Sequence, residues 1–210
     1  MSSRISDIID SLSELYPYAR AELNFTNPFE TLIATILSAQ CTDKRVNLVT
    51  ESLFKECHTA REMAALNYSE LEEKIKACGL YKMKARHIID ACQYLIENYG
   101  GEVPHTREEL MRLPGVGQKT AGVVLMAAFG ADEIPVDTHV FRLSHRLGLS
   151  QNSTPEGVEA DLRQLIPEGE RGHVHHLLIW HGRRCCTARK PNCAGCPLGK
   201  GLCMYNGEDK

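Results

Sequence analysis

Apolar residues recur along this chain every three to four positions. Phe29, Leu32, Ile33, Ile36 and Leu37 fall on one face of a helix. That helix has a readable start at Asn27-Pro28-Phe29-Glu30, with asparagine as cap, proline in first place and glutamate in third. Asp43, Thr59, Asn67, Thr106, Asp137 and Thr154 have the look of further caps, and Thr106 with Glu109 fits a capping box. Gly100-Gly101, Gly130 and Gly148 act as stops. No segment sustains the alternation of a strand. The pattern predicts an all-α fold of about ten helices, roughly 7 to 18 residues each. Ala121 to Ala131 is nearly apolar over 11 residues, which is too short for a bilayer and suits a buried helix. No repeat of fixed period is present, and Ala131–Pro135 is a candidate domain crossing.

Composition adds an ordered core, since 43% of the 210 residues are hydrophobic. The first residues lack the basic start and apolar run of a secretory signal, so a soluble, cytoplasmic protein is expected. A net charge of −3 gives no support to a nucleic-acid partner. Its distribution says more. Arg183, Arg184, Arg189, Lys190 and Lys200 sit in a stretch without an acid, as do Lys82, Lys84 and Arg86. Such local basic loops suit phosphate contacts on one face, or else are solvated helix ends.

Nine cysteines change the picture further. Cys41, Cys57, Cys78 and Cys92 fall in helical patterns and read as small core residues. The other five crowd into the last 26 residues, which in a reducing compartment points to a metal. Cys186-x6-Cys193-x2-Cys196-x6-Cys203 offers four thiolates around one short C-x2-C-Pro knuckle. Structural zinc sites more often pair two such knuckles, so the spacing favours iron–sulfur, with zinc the competing metal. His173, His175 and His176 share a helix and read as ordinary helix residues, while His58 and His105 read as surface or cap positions.

Leu113-Pro114-Gly115-Val116-Gly117 joins two helical segments. Its two glycines permit a sharp turn and a close backbone approach. The N–H groups opening the next helix then suit an anion, for which a DNA phosphate is the natural candidate. A bare G-x-G would be an ordinary helical corner. Lys119 lies two residues further on, where the positive helix end and desolvation would both favour a neutral, nucleophilic amine over the usual pKa of about 10.4. Asp137 is an ordinary N-cap by sequence.

Taken together, these segments resemble the helix–hairpin–helix DNA glycosylases, and within them the endonuclease III family. Leu37-Ser38-Ala39-Gln40-Cys41-Thr42-Asp43, Gly79-Leu80-Tyr81, Leu113 to Gly117, Lys119, Val136-Asp137-Thr138-His139-Val140 and His181-Gly182-Arg183 match in order, over about residues 20 to 203. The resemblance implies two helical lobes with DNA in the cleft between them: a six-helix barrel over 22–131 holding the hairpin, and a second lobe of 1–21 with 132–210. It implies a [4Fe–4S] cluster on Cys186, Cys193, Cys196 and Cys203 in the loop 186–203. It implies Lys119 as nucleophile and Asp137 as both cap and catalytic carboxylate; His139, by its nearness to Asp137 in the sequence, is placed to support the pocket. Gly115, Val116 and Gly117 would grip a phosphate. Gln40 would fill the space of an extruded base, and Leu80 would wedge the opposite strand. Lys82, Lys84, Arg189 and Lys190 would hold the DNA backbone.

One departure stands out. The family's last cysteine interval is usually five residues and here is six; Gly199-Lys200-Gly201 could loop out the extra one. Cys185 is a spare neighbouring thiol, and the His-Gly-Arg register favours Cys186. The activity implied is excision of oxidised pyrimidines from duplex DNA, followed by nicking at the abasic site, by a monomer in the cytoplasm at the nucleoid. An adenine-excising relative would lack Lys119 and carry an extra C-terminal domain. A DNA-binding module without catalysis, and a small electron-transfer iron–sulfur protein, are the readings from other classes.

Overall fold

The computed structural model describes residues 3–199 and 201–205. Among them are eleven α-helices and two 3₁₀ turns, without a strand. The chain divides into two compact units, one of Ala21–Ala131 and one of Met1–Arg20 with Asp132–Lys210.

The Ala21–Ala131 unit holds α2 (Pro28–Ser38), α3 (Asp43–Glu56), α4 (Ala60–Ala64), α5 (Tyr68–Ile75), a 3₁₀ turn (Lys76–Cys78), α6 (Tyr81–Tyr99), α7 (Arg107–Leu110) and α8 (Gln118–Phe129). Helix α2 is its centre, buried without a break from Phe29 to Leu37. It is buried on every side and mostly apolar, as suits a helix enclosed by others. Its start follows local chemistry. Asn27 Oδ1 accepts from Glu30 N at 2.9 Å, while Glu30 Oε2 takes Thr26 N at 2.7 Å. These bonds account for a buried glutamate so close to the core. Helix α8 packs on α2 through Ala121, Gly122, Val124 and Leu125. Thr59–Glu62 and Asn67–Glu70 close reciprocal capping boxes.

The other unit is built from α1 (Ser3–Leu15), α9 (Thr138–Arg146), α10 (Pro155–Leu165), α11 (Arg171–Arg184) and a 3₁₀ turn (Pro197–Gly199). Helix α1 turns Ile5, Ile8, Ile9 and Leu12 inward, and α11 supplies Leu177 and Leu178 to the same core.

Several expectations need amendment. Asp43 is a first-turn acid, and Thr42 holds the cap position without a side-chain bond. Helix lengths run from 4 to 19 residues. The shortest, α4 and α7, carry too few turns for periodicity to mark them. Cys57, Cys78 and Cys92 are buried as expected, whereas Cys41 is only half-buried. Lys200 lies outside the described residues. No helix among the described residues is long and apolar enough to cross a membrane.

Candidate functional site

The hairpin runs from Leu113 to Gly117 between α7 and α8. Leu113 and Val116 turn into the core, and Val116 N donates to Leu113 O at 3.1 Å. Val116 was expected to touch a phosphate; with its side chain buried, only its backbone is available for that. The two glycines differ in kind. Gly115 has φ +79°, and a Cβ there would meet His87 Nδ1 at 2.8 Å and His87 Cβ at 2.9 Å. The fold therefore demands glycine at 115. Gly117 has φ −98°, and a Cβ there would meet nothing within 4 Å. Folding places no such demand on it. Gly117 caps α8 without a side-chain acceptor, which leaves first-turn N–H groups to a partner from outside. Arg107 Nη1 donates to Gln118 Oε1 at 3.0 Å and ties α7 to the start of α8. Lys119 stands exposed on that first turn. The desolvation expected from a closed pocket is thus not supplied by the free protein.

Two residues without glycine's freedom adopt left-handed backbone, Gln40 at φ 53° and Leu80 at φ 47°. Such a conformation strains an ordinary L-residue by roughly 1–2 kcal/mol and is concentrated at functional sites. Both side chains are exposed; Leu80, 48% exposed, is a large apolar group in water. Gln40 follows α2, and Leu80 begins α6.

Between them lies Lys84, and here the sequence reading was wrong. Lys84 was expected on a DNA backbone, yet it is 2% exposed. Its Nζ donates to Leu37 O at 2.8 Å and to Cys78 O at 2.7 Å. One ammonium thus closes the end of α2, three residues before Gln40, and the 3₁₀ turn two residues before Leu80. Burial pushes its pKa down, with Cys41 and Cys78 opposing. Lys84 is four, seven and eleven residues before Ile88, Ala91 and Leu95, all buried. That spacing was the signal that it lies on the inward stripe. Lys82 beside it is exposed, as are Arg189 and Lys190.

Asp137 caps α9. Its Oδ1 accepts from His139 N and Val140 N, each at 2.8 Å. No hydrogen bond to Oδ2 is found among the described residues. Burial holds His139 below its ordinary pKa, against the pull of Asp137. Helix α9 also carries two arginines that sequence reasoning passed over. Arg142 donates to Gly182 O and Cys186 O at 3.0 and 2.9 Å. Arg146 donates to Thr187 O and Ala188 O at 2.8 and 3.1 Å, and to Cys186 Sγ at 3.3 Å. Their four-residue spacing on one helix was the available sign. The helix capped by Asp137 therefore also anchors the start of the cysteine loop.

That loop encloses a small cavity of about 60 Å³ lined by Cys185, Cys186, Cys193, Cys196, Cys203 and His181. His181, Cys185 and Cys196 place their ligand atoms within 4.8 Å of one another and could hold a metal. His181 is 1% exposed, with Nε2 3.4 Å from Cys196 Sγ and Nδ1 3.1 Å from Tyr16 Oη. Burial pushes its pKa down to about 4, so the ring is neutral near pH 7. Burial, then the neighbouring Cys196, pushes the Cys185 thiol up to about 12, and burial raises Cys203 as well. Thiols so crowded become thiolates readily only beside a cation. The donor set therefore fits a thiophilic metal group. His173, His175 and His176 form no metal-binding group among the described residues.

The profile of the HhH-GPD superfamily of base excision DNA repair proteins matches residues 33–168. Endonuclease III of Rickettsia felis is 46% identical over 201 residues, covering 96% of this chain and 94% of that protein. Endonuclease III of Bacillus subtilis is 46% identical over 197 residues, covering 93% and 90%. Among solved structures, a trapped covalent intermediate of endonuclease III with DNA superposes with a TM-score of 0.92 at 46% identity. It covers 97% of this chain and 95% of that one.

Proposed function

This chain belongs to the HhH-GPD superfamily of base excision DNA repair proteins, and we propose that it is a bifunctional DNA glycosylase and abasic-site lyase. Its substrate is duplex DNA carrying an oxidised pyrimidine. The observation that carries this reading is Lys119, exposed on the first turn of α8 two residues beyond Gly117, in a chain similar to an enzyme trapped covalently on DNA.

The chemistry follows from an amine at that place. The free protein leaves Lys119 exposed, so the removal of water around it falls to bound DNA. The amine lone pair attacks the sugar C1′, the N–C1′ bond forms, and the bond to the damaged base breaks with its electrons leaving on the base. Opening of the sugar ring gives a protonated Schiff base. Loss of a C2′ proton then expels the 3′ phosphate, and water releases the shortened strand from the lysine. Asp137 is the carboxylate that takes the lysine proton and offsets charge growing on the sugar. An Oδ2 kept out of the helix cap supports that assignment.

The hairpin backbone at Gly115, Val116 and Gly117 receives a phosphate, with the open surface at Gly117 its nearest approach. Gln40 enters the gap left by the extruded base and Leu80 opens the facing step; exposed side chains held on strained turns suit that work. Lys82, Arg189 and Lys190 neutralise further phosphates. The cysteine loop carries a [4Fe–4S] cluster on Cys186, Cys193, Cys196 and Cys203, whose service here is to fix the loop bearing Arg189 and Lys190. The setting is the cytoplasm, at the DNA.

A duplex oligonucleotide with one thymine glycol tests this. The expected products are a released base and a strand cut 3′ to the lesion without added alkali. Base release with the strand left intact until alkali would make the enzyme a monofunctional glycosylase. Tight binding with neither product would make it a binding module.

A further inference from the structure

The cavity of the cysteine loop is lined by five thiols, while a [4Fe–4S] cluster takes four. Building on the cluster reading above, we propose that Cys185 is a reserve ligand, able to take the iron corner of Cys186 when that residue is lost or withdrawn.

The two thiols leave the chain from one pivot. Cys185 N and Cys186 N both donate to His181 O, at 2.9 and 2.8 Å. By the resemblance Cys186 is the resident ligand, and Arg146 Nη1 reaches its Sγ at 3.3 Å, where a cation beside sulfur suits a bound thiolate; the ligand atoms gathered within 4.8 Å of one another, however, include Cys185 and leave Cys186 out. Cys185 is therefore in ligand range. Its Sγ lies with Cys196 Sγ and His181 Nε2 in a group no more than 4.8 Å across. The backbone around both is fixed. Asn192 N donates to Cys185 O at 3.0 Å, and the Arg146 guanidinium holds the carbonyls of Thr187 and Ala188 at 2.8 and 3.1 Å. An exchange therefore asks for side-chain rotation at the end of α11, with the loop left in place.

The exchange balances without a redox partner. With a cluster bound, the Cys185 thiol would give its proton to solvent and ligate the iron, while the released Cys186 thiolate would take a proton from solvent. Thiolate replaces thiolate, so the charge and oxidation state of the cluster are unchanged. No comparable neighbour stands beside Cys193 in the sequence, where Asn192 and Ala194 flank it.

The test uses the full chain, purified with its cluster, as wild type, Cys185→Ser, Cys186→Ser, Cys193→Ser and the Cys185→Ser/Cys186→Ser double variant. Iron and acid-labile sulfide per chain are measured beside the visible absorption, with helical circular dichroism reporting the fold. Cys185→Ser and Cys186→Ser should each keep iron at the wild-type level, whereas Cys193→Ser and the double variant should lose it. Iron lost from folded Cys186→Ser as fully as from Cys193→Ser overturns the inference. A wild type that binds neither iron nor sulfide would remove the cluster reading itself, a result distinct from that one.

Discussion

Alanine at Gly115 and at Gly117 should produce opposite kinds of damage, although the two residues are neighbours in one motif. At Gly115 the backbone is left-handed, at φ +79°, and the new methyl would sit 2.9 Å from His87 Cβ and 2.8 Å from Nδ1. His87 belongs to α6, so its Cβ cannot swing aside as the tip of a flexible side chain would. The backbone strain is about 1–2 kcal/mol, and overpacking adds roughly 1–3 kcal/mol. A loss of about 3 kcal/mol follows, which at this size lowers the melting temperature by roughly 6–12 °C. At Gly117 the φ of −98° is open to alanine and nothing lies within 4 Å. Stability there should fall only by about 0.5–1 kcal/mol, the difference between glycine and alanine as an N-cap. The methyl instead occupies the surface where a phosphate must approach, and should weaken duplex binding by about tenfold, or 1.4 kcal/mol. Thermal melts beside fluorescence anisotropy with an abasic-site duplex separate the two effects. A Gly117→Ala protein that melts as low as Gly115→Ala, or that binds DNA as wild type does, would refute the division of labour.

Further outcomes follow from the same geometry. Asp137→Asn keeps a good N-cap, so its melt should match wild type while the single-turnover rate falls by roughly 10²–10⁴; unchanged base release would strip Asp137 of its catalytic role. Leu80→Asn relieves left-handed strain on an exposed side chain, so urea unfolding should show a gain of about 0.5–1 kcal/mol together with slower excision. A variant that is both less stable and fully active would contradict that. Lys84→Met removes the donor to two buried carbonyls, at about 1–3 kcal/mol each, partly offset by no longer burying a charge. Its unfolding free energy should fall and its excision slow, although Lys84 never reaches DNA. Because burial lowers the pKa of Lys84, the unfolded chain holds that proton to higher pH than the folded one. Wild type should therefore gain stability relative to Lys84→Met as pH rises from the lowered pKa towards the ordinary lysine value. A difference that stays constant as pH rises towards the ordinary lysine value of 10.5 would count against the buried ammonium.

What the chain disclosed beforehand was mostly local. Asn27-Pro28-Phe29-Glu30 announces α2 because the cap, the proline and the returning glutamate all act within four residues. Thr154 and Asp137 likewise accept the amides expected of them. The cysteine spacing and the two-glycine turn could be seen for the same reason. Lys84 was misread because Lys82, Lys84 and Arg86 are alike as a string, and only packing decides that the middle one points inward. Nothing local distinguishes Gly115 from Gly117 either; the difference is His87, twenty-eight residues earlier in the chain. The strain at Gln40 and Leu80 was equally invisible, since neither residue type favours φ above zero. Arg142 and Arg146 looked like ordinary helix charges until their carbonyl partners more than forty residues away were seen.

Borohydride trapping shows whether Lys119 attacks the sugar. Wild type and Lys119→Gln are each incubated with a thymine glycol duplex and sodium borohydride, and the adducted peptide is mapped by mass spectrometry. A covalent complex is expected with wild type alone, carried on the peptide containing Lys119. A complex of equal yield with Lys119→Gln, or an adduct mapped to another residue, would contradict attack by Lys119.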